Sequence, residues 1–80
     1  MIDDKEMIEI IRKRVTYFWE NKIKIHTTLK TNKWYNGIIS DVSDEFFILE
    51  DFKEGEIVIF FIEIFPNGIN EYREEGVDGN

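Results

Sequence analysis

Cysteine is absent from this chain of 80 residues, and histidine and proline occur once each. Without cysteine there is no disulfide framework, no thiolate nucleophile and no Cys-rich zinc site, so stability rests on packing and on contacts between copies. His26 has no nucleophile or second ligand beside it in sequence, which points to a surface side chain and not to a general base or metal ligand. Charged and apolar residues alternate through residues 1–20, so neither a signal peptide nor a membrane span is expected. A cytoplasmic protein is expected, without catalysis, cofactor, metal, small-molecule substrate or membrane partner.

Aromatic residues are plentiful: seven Phe, three Tyr and two Trp. A chain of this length builds one core, which those rings can fill, but its stability is marginal and self-assembly would add to it. Charge is uneven. Residues 1–35 hold eight Lys or Arg against five Asp or Glu, whereas residues 36–80 hold two against twelve, for a net charge of −7. The acidic total opposes tight, indiscriminate phosphate binding, yet leaves room for one basic face.

Residues 3–20 read as a helix. Met7, Ile8, Ile11, Val15, Phe18 and Trp19 recur at three- and four-residue steps, Asp3 or Asp4 can cap the start, and Asp3 with Glu6 has capping-box spacing. From Asn21 the period changes to two, as Ile23, Ile25, Thr27 and Leu29 alternate with polar neighbours. A turn at residues 30–33 leads to a second strand over residues 34–42, in which Gly37 marks a sharp bend or a close backbone approach. After a turn at residues 43–45, a third strand is expected over residues 46–52, and after residues 53–55 a fourth over residues 57–62. That fourth run is apolar on both faces, so its outer face needs the helix or another chain to cover it. A short fifth strand over residues 63–65 is expected to end at Pro66, because Pro cannot donate to a central ladder. The domain is thus expected over residues 1–70, with an acidic, flexible tail at residues 71–80. No repeat, linker or low-complexity tract interrupts it.

The residues Tyr35-Asn36-Gly37-Ile38-Ile39-Ser40-Asp41-Val42-Ser43-Asp44-Glu45-Phe46-Phe47-Ile48-Leu49 resemble the first motif of the Sm-like family, where Gly and an aliphatic residue two later precede an acidic turn and an apolar strand. Residues 57–66 resemble the second motif, and a similar run occurs in the Sm-like C-terminal domain of bacterial ribosome maturation factors. The resemblance implies a mainly β fold, an N-terminal helix followed by a strongly bent five-stranded antiparallel barrel over residues 22–66, of Sm-like or SH3-like type. It also implies a homo-oligomeric ring built by pairing the fourth strand of one copy with the fifth of the next, with Ile57, Val58, Ile59, Phe60, Phe61, Ile62, Ile64 and Phe65 at the interface. Asp44 is the residue the motif places near a base pocket. Two departures weigh against RNA recognition: Phe46 or Phe47 stands where RNA-binding relatives carry Asn, and Ile59, Phe60 and Phe61 stand where they carry Arg-Gly or Lys-His.

Lys5, Arg12, Lys13, Arg14, Lys22, Lys24 and Lys33 form the basic constellation, with Trp34 and Tyr35 as candidate stacking platforms. A solvated helix face would look the same. The carboxylates Asp41, Asp44, Glu45, Glu50 and Asp51 lack calcium-loop spacing and read as solvated charge, with Asp44 capping its own turn. Two functions follow as expectations: an RNA- or ribonucleoprotein-binding oligomer, or a protein-interaction module that keeps the assembly without RNA recognition.

Overall fold

The computed structural model describes residues 3–73. Helix α1 spans Asp4–Glu20, and the Asp3 carboxylate accepts the Glu6 N–H at 2.8 Å, satisfying one of the orphan donors of the first turn. At the other end the Lys22 N–H donates to the Trp19 carbonyl and the Ile23 N–H to the Phe18 carbonyl, with Lys22 at φ 54°. This is a Schellman cap, and Lys22 occupies the left-handed position that glycine usually takes. Ile11, Val15 and Phe18 form the buried stripe.

Five antiparallel strands follow: β1 (Ile25–Leu29), β2 (Trp34–Val42), β3 (Phe46–Asp51), β4 (Gly55–Phe60) and β5 (Ile64–Glu71). A 3₁₀ turn, η1 (Phe61–Glu63), joins the last two. The sheet order β4-β3-β2-β1-β5 puts β4 and β5 at opposite edges, and the sheet is not closed into a barrel. It must nevertheless curl. Four strand spacings of about 4.8 Å would separate the edges of a flat sheet by roughly 19 Å. The few residues of η1 can bridge only about 14 Å even fully extended. The helix fills the concave side, packing on β2, β5 and η1. Its stripe meets Ile25, Ile39, Phe47, Leu49, Ile59, Phe61, Ile64 and Ile69 in one core.

Three details differ from the sequence expectation. The apolar run at residues 57–62 leaves the strand at Phe60, because Phe61 turns into the core through η1. The fifth strand does not stop at Pro66 but continues to Glu71. Pro66 is tolerated because β5 is an edge strand and because residues 65–68 bulge out between the pairs Leu29↔Ile64 and Thr27↔Ile69. The break in register on β2 falls at Ser40, between Ile39↔Leu49 and Asp41↔Ile48, while at Gly37 the structure has the second of the two expected alternatives, a close approach to β3. Of the expected tail, Glu71 pairs with Ile25 and the Tyr72 N–H donates to the Lys24 carbonyl at 2.8 Å, while residues 74–80 lie outside the described residues.

Thr27 is the one buried polar residue in this core, and its hydroxyl has no hydrogen-bond partner among the described residues. A buried hydroxyl without a partner costs about 1–3 kcal/mol. Thr27→Val, similar in shape, is therefore expected to raise the unfolding free energy by about 1 kcal/mol in urea titration. A loss of stability would mean that the hydroxyl is satisfied.

Candidate assembly edges and nucleic-acid interface

Strand alternation divides the eight residues expected at the interface. Ile59, Phe61 and Ile64 belong to the core of the single chain, and Ile57 packs partly against it. Their side chains are packed inside the single chain, so any share of theirs in an edge contact would be made through the backbone. Val58, Phe60 and Ile62 face outward and are 51%, 40% and 49% exposed, and Phe65 is exposed on the β5 bulge. On β3, Phe46 and Ile48 lie opposite Phe60 and Val58, with the Phe46 and Phe60 rings 5.5 Å apart. The result is an outward apolar patch beside the β4 edge, which pairs with no further strand among the described residues.

Three members of the basic constellation are engaged within the chain. Arg12 is paired to Glu9 at 2.6 Å. The Arg14 Nε donates to the Ile69 carbonyl at 2.8 Å and its second nitrogen to Asn70 Oδ1 at 3.2 Å, while its guanidinium sits 5.3 Å from the centre of the Phe18 ring. Arg14 is thus a tie between the helix and β5, and its neutralisation would test packing as much as binding. Lys24 lies over the Phe52 ring at 5.9 Å. Lys5, Lys13 and Lys33 are exposed, at the helix start, mid-helix and the β1–β2 turn.

Trp34 and Tyr35 point to opposite faces. Tyr35 is half-buried against the core, whereas Trp34 is 54% exposed on the outer face, 5.8 Å from the His26 ring. His26 Nδ1 donates to Asn36 Oδ1 at 2.5 Å, since that oxygen can only accept, and Nε2 lies 3.4 Å from the Thr28 hydroxyl. His26 is accordingly a held, half-buried outer-face residue.

Asp44 is exposed in the β2–β3 turn, and its carboxylate takes no protein hydrogen bond among the described residues; the turn closes instead through Ser43 N–H to the Phe46 carbonyl at 2.8 Å. Asp51, expected as solvated charge, organises structure. Its carboxylate accepts the N–H groups of Lys53 and Glu54 at 2.9 Å and of Asn36 at 3.0 Å, pinning the β3–β4 turn to the start of β2. Partial burial pushes the Asp51 pKa up, but the three N–H donors and the Lys53 charge outweigh it and hold the carboxyl below its ordinary value of 3.8. A folded pKa below the unfolded one means stability that is present above the ordinary carboxylate range and lost as pH falls through the depressed value. Urea midpoints measured from about pH 6 down to about pH 3 should therefore fall more steeply for the native chain than for Asp51→Asn. Parallel curves would remove this role.

Among the described residues, no group of three or more His, Asp and Glu is placed to hold a metal ion, and no helix is long and apolar enough to cross a membrane. No protein-family model, curated protein or solved structure matches the chain.

Proposed function

We propose that this chain is a cytoplasmic Sm-like subunit that assembles head to tail through its β4 and β5 edges into a closed homo-oligomer, and that the assembly binds RNA or a ribonucleoprotein partner. The observation that carries the assembly reading is the pair of dissimilar free edges in the order β4-β3-β2-β1-β5, with an outward apolar patch beside β4. An unpaired edge is a template for another strand. Two different edges make a heterologous contact, which closes into a ring when the rotation between neighbours fits and extends into a fibre when it does not. Pro66 and the β5 bulge confine pairing on that side to the residues around them, which favours one register over sliding. Completing the open sheet with a neighbour's strand would supply across the interface the closure the single chain lacks.

The rival reading is a protein-interaction module with the same assembly and no RNA recognition. Arg12 and Arg14 favour it, because both are engaged within the chain, as does the acidic total. Fluorescence anisotropy of labelled oligo-U and oligo-A RNA, at low and near-physiological salt, separates the two. Micromolar or tighter binding that persists at the higher salt supports the RNA reading. No binding at either salt leaves the interaction module.

A further inference from the structure

Trp34 is more than half exposed on the outer sheet face, and it borders two adjoining cavities. The first, of about 400 Å³, is walled by His26, Trp34, Asn36, Asn70 and Tyr72 among others. The second, of about 360 Å³, shares Trp34, Asn36 and Tyr72 and adds Phe52. Both volumes fall in the range of small-ligand pockets. We infer that this groove is a subsite for unpaired bases of single-stranded RNA, with one base stacked on the Trp34 indole and the Asn36 amide at the base edge. The inference rests on the RNA-binding reading above and assigns it a location on the outer sheet face, apart from the Asp44 turn, with helix residue Arg14 reaching only the groove's Asn70 wall.

Four features of the groove fit that ligand. The wall is preorganised: His26 is held between Asn36 and Thr28, and its ring lies tilted 37° to the indole, so little conformational freedom remains to be lost on binding. Asn36 Oδ1 is occupied by His26, while its Nδ2 has no protein partner among the described residues and is free to donate to a carbonyl or ring nitrogen of a base. A second aromatic pair, Phe52 and Tyr72 with centroids 5.5 Å apart, borders the adjoining cavity and offers a position for the next base. Charge around the groove is mixed and slightly acidic: Arg73 and Glu71 border the first cavity, and Lys53, Glu54 and Asp51 the second, with the Asp51 carboxylate already taken up by three backbone N–H groups. A floor of aromatic rings and amides without a net positive charge suits neutral bases better than phosphates, which the cations Lys24, Lys53 and Arg73 can meet at the margin. Stacking accepts any base, so sequence preference should be modest.

The test is RNA affinity of the native chain, Trp34→Ala and Trp34→Phe, by anisotropy with oligo-U and oligo-A, alongside quenching of intrinsic tryptophan fluorescence. Native-like melting of both variants is expected, because the indole lies outside the core. Removing one stacking platform should weaken binding about tenfold in Trp34→Ala. Trp34→Phe should retain most of the affinity and lose most of the quenching. Native-chain binding that is equal in Trp34→Ala would overturn the groove while leaving the RNA reading intact. No binding by the native chain would overturn both.

Discussion

Gly37→Ala is expected to be the most damaging single-atom-scale change in this chain, costing about 3 kcal/mol or more of unfolding free energy. A Cβ at Gly37 would lie 2.0 Å from the Glu50 carbonyl oxygen, 2.7 Å from its carbon and 3.0 Å from the Asp51 Cα. All three are backbone atoms of the paired strand, so no side-chain rotation relieves the clash, and β2 and β3 would have to separate where Gly37 pairs with Asp51. That separation would also pull Asp51 away from the Asn36 N–H it accepts. Against a total stability of about 5–15 kcal/mol, such a loss leaves a largely unfolded or aggregating chain. Gly55→Ala is the control. Gly55 has φ +81° but nothing within 4 Å of an added Cβ, so only the left-handed backbone strain applies, about 1 kcal/mol. Circular dichroism and urea titration of the two variants should therefore give clearly different losses. Equal, small losses would mean that β2 and β3 do not approach closely at Gly37.

The second large effect concerns assembly. Phe60→Asp should leave the single chain folded, with stability changed by about 1 kcal/mol or less, because Phe60 faces outward and is 40% exposed. In a β4-to-β5 contact the same carboxylate would be buried without a partner, and the association constant should fall at least about 100-fold. Ile59→Asp, one residue earlier, places the charge in the core and should unfold the chain at any concentration. The alternation of the strand thus turns neighbouring substitutions into different phenotypes, readable together by sedimentation velocity and far-UV spectroscopy. A Phe60→Asp protein with native particle mass and a folded spectrum would contradict pairing at this edge.

Local signals carried much of the architecture into the sequence. The period of α1 and its Asp3 cap, and both ends of β2, coincide with their expected positions, since each depends on side chains within a few residues of one another. The outcome was different wherever a distant contact decides the conformation. Pro66 reads as a terminator until β5 is known to be an edge, and nothing local announces that residues 65–68 bulge opposite Thr28. Asp51 reads as solvent-facing charge because one of its three donors, Asn36, lies fifteen residues away. Arg14 belongs to a basic cluster by composition, yet it spends its donors on β5 across a separation of 55 residues. Trp34 and Tyr35 are adjacent in sequence but face opposite ways, an alternation that was visible in the strand pattern and would have singled out Trp34. The same alternation places the Ile59 side chain in the core and those of Val58 and Phe60 outside it. Phe61 and Ile64 needed knowledge of η1, whose turn resets the period between the two edges.

Edge pairing is tested most directly by joining the two edges chemically. Val58→Cys on β4 and Phe65→Cys on β5 place thiols at exposed positions of opposite edges, and no native cysteine competes for the reagent. A short bismaleimide added to the double variant should produce a ladder of covalent multimers on a denaturing gel, ending at one closed species. Each single variant should remain monomeric, because its thiol would face a neighbour's edge that carries none. Monomers only from the double variant, or covalent dimers from either single variant, would contradict head-to-tail assembly through β4 and β5.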